Sequence, residues 1–362
     1  MEPITHFLTG ACLSRAGFNR KTAYATLAMT LAAEAPDIDI LWGFRGPVAA
    51  LQHHRGITHS LIGAPAIALV VTGAVWVFHR LRRQPPGHDE GQPVRWGLVW
   101  LFSLIAVLSH LLLDFTNSYG LRPFYPFNPR WYSWDIVYIV EPVMLAAFAL
   151  ALVMPALLGL ADREIGVRRT QFRGRGWAIA ALVSVVLLYA LRNAEHAHAL
   201  VLVKGAGFNR DAITRIGVEP YPVNPFKWFS VAETASYYQT AVVNTRTDSV
   251  DTDSGQMVFK PPVTAATAAA KQSWLGRTYL DWAGFPLVTD RGPAANQALP
   301  SGHGIEPPEP AWTVVGFEDL RFAYSPVSFA AFDRTHPPLS GSVYLGPGLE
   351  VEEETMDGRE QK

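Results

Sequence analysis

The chain of 362 residues holds one cysteine, Cys12, and few charges. A single thiol cannot close an internal disulfide and excludes a Cys-rich zinc site. Asp, Glu, Lys and Arg make up only 17% of the residues, and the formal net charge is −1. The basic excess of a nucleic-acid-binding protein is therefore missing, and no nucleic-acid partner is expected. The first residues, "MEPITHFLTGACLSRAGF", have no basic cluster ahead of their apolar stretch, so a cleavable signal peptide is not expected either.

Apolar residues are abundant instead, at 49%. Long apolar runs cover Ser60–Phe78, Trp96–Phe115, Ile136–Leu160 and Trp177–Leu191. Each approaches the roughly 20 residues that cross a hydrocarbon core of about 30 Å. Two weaker runs precede them, Ile4–Leu13 and Thr22 to about Trp42, the second interrupted by Glu34, Pro36, Asp37 and Asp39. They read as a short helical hairpin packed on four clear spans, six helices in all. If these alternate in direction, the turns Arg15–Lys21, Arg80–Arg95 and Asp162–Arg175 share one side and hold twelve basic residues, against five on the other. The positive-inside rule makes the twelve-charge side cytoplasmic, so both termini are expected outside.

After about Leu200 the composition shifts to proline, glycine, threonine and aromatics. Stretches such as "YYQTAVVNT" and "WTVVGFEDLRFAY" alternate in the manner of strands, with a helical piece over Ala265–Trp282. The expected fold is thus an α-helical membrane domain, 1–200, followed by a small extracytoplasmic β-rich α+β domain, 201–348. The charged end, 349–362, reads as a disordered tail.

On this map the metal-ligand side chains gather at one membrane face. His6 opens the first helix, and Asp37 and Asp39 close the second. The stretch "QHHRGITHS", with His53, His54, Arg55 and His59, precedes the third. The fourth ends in "SHLLLDFTNS", where His110 and Asp114 stand i, i+4 and point from one helix face to one place. Ionisable residues inside a span are costly and usually functional. An extended "PDID" projects both its carboxylates to one side. Imidazole with carboxylate suits Zn²⁺, Mn²⁺ or Fe²⁺ better than Ca²⁺, and the ligands suffice for one or two ions. Asp135 opens the fifth helix as a cap or a ligand, and Glu141 either joins the site or pairs with an arginine.

The combination "THFLTG", "APDIDI", "HHRGITHS" and "SHLLLDFTNSYG" resembles the YdjM-like inner-membrane metal-dependent hydrolases over about residues 1–145. The later "YPVNPFKWFSV", "DWAGFP" and "FEDLRF" are similar to the YfhP-like branch. The resemblance implies His6, Asp37, Asp39, His54, His59, His110 and Asp114 as metal or catalytic positions, and a bacterial inner-membrane location. Glu141 before Pro142 stands where the family pattern more often has Asp-Pro. The expected chemistry is hydrolysis of a phosphoester or ester in a membrane lipid or lipid-linked substrate. In it Asp37 or Asp39 bridges metals or serves as base, His53 or His54 moves a proton, and Arg55 holds the anionic group. The alternative is a non-enzymatic membrane protein whose metal is structural or transported.

Overall fold

A computed structural model describes residues 1–82, 92–164, 174–207, 211–253, 255–296, 309–324 and 338–361. Most of the basic turns at 83–91 and 165–173 lies outside these residues. Among the described residues, four helices are long and apolar enough to cross a membrane: α4 (Gly63–Leu81), α5 (Trp96–Phe115), α6 (Pro142–Glu164, apolar through Leu160) and α7 (Arg175–Ala206). Two short helices precede them, α1 (Pro3–Arg15) and α2 (Ala25–Glu34). They pack closely because Gly10 has no side chain; a Cβ there would lie 2.6 Å from the Met29 carbonyl oxygen and 2.8 Å from Ala33 Cβ. After Glu34 the chain tightens into a 3₁₀ segment, Ala35–Arg45, where Pro36 cannot donate the next α-helical hydrogen bond.

By internal packing the chain divides into two compact units, Met1–Ile38 with Arg55–Ala194, and Asp39–His54 with Glu195–Lys362. The boundary near 200 read from composition therefore falls a few residues earlier, and the second unit also takes in 39–54. That excursion includes a short helix, α3 (Pro47–His53). The Trp274 indole donates to Gln52 Oε1 at 2.9 Å, and Gln361 Oε1 accepts from the Val48 amide at 2.9 Å. These partners are more than 200 residues away along the chain, so no local pattern announces them.

The second unit is built on two antiparallel sheets. One joins β1 (Arg215–Pro220), β2 (Lys227–Glu233), β3 (Tyr237–Asn244) and β4 (Ser249–Asp251), with β5 (Met257–Phe259) also on β3. The other runs from β6 (Pro286–Pro293) through β7 (Thr313–Asp319), β8 (Gly341–Leu345) and β9 (Val351–Met356) to β10 (Arg359–Glu360). The helical piece is two helices, α8 (Ala265–Lys271) and α9 (Trp274–Trp282). Ser273 interrupts it, its hydroxyl accepting the Gly276 amide at 3.0 Å as an N-cap. The charged end differs from the disordered tail expected of it. Val351–Met356 pairs along β8, and buried Glu354 accepts the Leu275 amide at 2.8 Å, so a glutamate that composition counts as solvent-seeking is part of the packing.

In the first sheet Glu233 faces Arg215 across the strands at 2.8 Å and also meets Lys260 at 2.8 Å. Burial raises its carboxyl, but the two cationic hydrogen bonds outweigh that and leave it below the usual glutamate value. A depressed folded-state value stabilises the fold above the unfolded carboxyl range and is lost as pH falls through it. Glu233→Gln should thus unfold earlier than wild type by about 0.5–1 kcal/mol at neutral pH, the difference closing in acid. Denaturant midpoints across the acid range check this; a pH-independent difference would contradict it.

Candidate metal centre

The pair at i, i+4 on α5, His110 and Asp114, is fully buried in the first unit. His59 reaches the same place from a 3₁₀ turn, Ile57–His59, and Asp37 from the 3₁₀ segment after α2. One ligand atom from each of these four residues lies within 4.8 Å of all the others. His59 Nε2 is 3.0 Å from His110 Nε2, and each is 3.3 Å from Asp114 Oδ2. Asp37 Oδ1 is 3.3 Å from His59 Nε2 and 3.6 Å from His110 Nε2. Tetrahedral ligands held about 2.0–2.1 Å from a central ion stand roughly 3.3 Å apart, so these separations have the size of a single-ion cage.

Protonation strengthens that fit. The Ala33 carbonyl oxygen, which can only accept, is 2.7 Å from His110 Nδ1. Nδ1 therefore carries the proton, and a neutral His110 turns a bare Nε2 lone pair inward. Among the described residues, buried Asp114 Oδ2 accepts no hydrogen bond. A bare imidazole nitrogen and a buried carboxylate oxygen facing one point are a donor set that suits a cation.

Arg55 orients the carboxylate. Its Nη2 donates to Asp114 Oδ1 at 2.8 Å, and its Nη1 to the Gly120 carbonyl at 2.8 Å and to Asn117 Oδ1 at 3.3 Å. With Oδ1 held in this way, Oδ2 is the oxygen turned toward the histidines. A left-handed backbone at Arg55, φ +53°, turns the side chain inward, and only 4% of the residue is exposed. The sequence suggests an arginine that anchors an incoming anion; in the fold its guanidinium also holds Asp114, a candidate ligand. Asn117 and Gly120, just past α5, lie outside the residues singled out from sequence. The polar run "DFTNSYG" was their one signal.

The other sequence candidates are placed differently. His6 is buried beside the cage, its ring stacked on His110 at 3.7 Å and its Nε2 3.4 Å from Asp114 Oδ1, with neither ring nitrogen hydrogen-bonded among the described residues. The Met1 amino group also contacts Asp114 Oδ1. Asp39 and His54 belong to the second unit and pair with each other, Oδ1 to Nδ1, at 3.0 Å. His53 stacks on Trp42 at 3.9 Å within that same unit. Glu141 takes the arginine alternative, its Oε2 2.7 Å from Arg192 Nη2 with both side chains fully buried.

A family model described as the YdjM inner membrane protein matches residues 1–199, more than half of the chain. The chain belongs to the YdjM inner membrane protein family. All four residues of the cage lie in the matched segment of this YdjM protein, and so do its four candidate spans apart from the last turns of α7. It is a multi-pass membrane protein of that inner-membrane family. The chain is also 26% identical over 162 residues to the "Uncharacterized protein YfhP" of Bacillus subtilis (strain 168), covering 41% of this chain and 46% of that one. The match thus spans just under half of the relative's length. No solved structure matches the chain.

Proposed function

We propose that this YdjM-family protein is a metal-dependent hydrolase, with zinc the best-suited ion, acting on a phosphoester or ester bond of a lipid or lipid-linked substrate at the outer membrane face. The observation that carries the reading is buried Asp114 Oδ2, which accepts no hydrogen bond among the described residues and lies opposite two histidine nitrogens of which one is bare. His59, His110 and Asp114 are the fixed holders of the ion. Asp37, 22% exposed at its side chain while the other three are fully buried, is the member that can be displaced. A bound divalent ion supplies Lewis acidity toward an ester or phosphoryl oxygen and makes water more acidic. Around it, Arg55 fixes Asp114, and Asp37 is the carboxylate placed to take a proton from the outer side.

The outward orientation rests on the excess of basic residues in the opposite turns. The position of His110 and Asp114 in the last turns of α5 supports a centre near one membrane face rather than a midplane transport site. A second reading has its own support. Four protein ligands close a tetrahedral shell, and closed shells are characteristic of structural zinc.

Metal analysis of detergent-purified protein, for wild type and for His110→Ala with Asp114→Ala, tests the proposal. Wild type should carry at least one equivalent of zinc or manganese and the double variant none, and only the wild type should hydrolyse fluorogenic phosphoester or lipid-ester probes. Metal without turnover on any probe would favour the structural staple. Metal-free wild type after purification in metal-replete buffer without chelator would sink both readings.

A further inference from the structure

The loop that joins α5 to α6 carries exposed apolar side chains where a water-facing loop would be polar. Phe127 is 82% exposed and Phe124 49%. The loop is a folded element. The Trp134 amide donates to the Phe115 carbonyl at 2.8 Å, the Ile136 amide to the Thr116 carbonyl at 3.0 Å, and Leu121 and Tyr132 exchange two bonds of 2.9 Å. These bonds pin its stem to the end of α5 and leave a tip of ten residues, 122–131.

The base of that tip is bound to a third span as well. The Leu61 amide, two residues before α4, donates to the Pro123 carbonyl at 2.9 Å. The loop therefore lies across one end of the bundle, between the start of α4, the end of α5 and the start of α6. That is also the end that holds the metal centre: Leu61 follows His59 by two residues, and Arg55 joins Asp114 to the Gly120 carbonyl.

We propose that this tip is an interfacial element whose Phe124 and Phe127 insert among lipids at the headgroup–acyl boundary of the leaflet nearest the metal centre. Its composition fits that boundary. Buried Arg122 braces the tip from within, over Trp131 at 4.6 Å and Tyr125 at 5.1 Å, while exposed Arg130, over Tyr132 at 5.5 Å, is the cation placed to meet lipid phosphates. Amphipathic aromatics and arginines concentrate at this depth of a bilayer. A soluble partner could cover two phenylalanines, but the pinning of the tip to three span ends favours lipid. Lipid beside the centre narrows its substrate to molecules held in the bilayer, a step that rests on the hydrolase reading; the insertion itself does not.

The test uses full-length protein in phosphatidylcholine–phosphatidylglycerol vesicles, with Phe127→Cys or Phe124→Cys carrying an environment-sensitive fluorophore. Wild type, whose only thiol is the buried Cys12, gives the labelling blank. Both labels should be blue-shifted, quenched several-fold by shallow nitroxide lipids and protected from aqueous iodide. Quenching by iodide alone would overturn the proposal by placing the tip in water. Protection from both quenchers would overturn it by placing the tip under protein. The experiment reads position and not turnover, so its failure and failure of the metal analysis are separate results.

Discussion

Arg55→Ala should weaken zinc binding by about 10- to 100-fold, the range in which loss of a group that orients a metal ligand falls. The guanidinium fixes Asp114 Oδ1 at 2.8 Å and ties it to Asn117 and Gly120, so Oδ2 faces His59 and His110 in one orientation. Without it the buried carboxylate keeps only the Met1 amino group and the His6 ring beside Oδ1, a looser hold, and Gly120 O and Asn117 Oδ1 lose a donor. Arg55→Lys keeps the charge while losing the planar fork that reaches three acceptors, and should recover only part of the affinity. Competition with a chelating dye of known zinc affinity measures both variants, and circular dichroism checks that each is folded. Wild-type affinity in a folded Arg55→Ala protein would refute the orienting role and return Arg55 to the candidates for substrate contact.

This arginine also shows where sequence reasoning ends. His110 and Asp114 were legible because an α-helix returns to the same face after four residues, and nothing in α5 disturbs that rule. An extended chain repeats every two residues and would pair Asp37 with Asp39. The segment is 3₁₀-helical instead, with three residues per turn, so positions two apart diverge by about 240°. Asp37 turns to the cage and Asp39 to His54. The inward turn of Arg55 depends on a positive φ that a non-glycine residue adopts only under tertiary constraint. The membrane spans were readable for the opposite reason. Length and hydropathy alone settle which segments suit a bilayer, and α4 through α7 fall on the four runs anticipated, with shifted ends. The place of 39–54 in the second unit was not readable, since Trp274 and Gln361 hold it and neither is near in sequence.

Glu141→Leu should destabilise the folded protein by roughly 3–5 kcal/mol, because it removes the carboxylate that faces a fully buried cation. Arg192 lies within α7 and is fully buried, as is Glu141 immediately before α6, and their 2.7 Å contact joins the two helices. In an apolar interior the attraction between the two charges offsets part of the desolvation of each, so removing one partner costs more than removing both. Removing both is a different matter. Glu141→Leu with Arg192→Leu replaces the pair by apolar volume and should restore most of the lost stability, even though it deletes more polar contact than either single change. Unfolding in mixed micelles, followed by tryptophan fluorescence for the two single variants and the double, measures the coupling. A double variant as unstable as the sum of the singles would mean that the two side chains act independently. Metal content gives the second readout. Glu141 and Arg192 lie outside the four-ligand cage, so the double variant should keep its ion. If it loses the ion while remaining as stable as wild type, the pair belongs to the support of the metal centre, and the Glu-Pro at 141–142 is then a working part of the site rather than a helix tie.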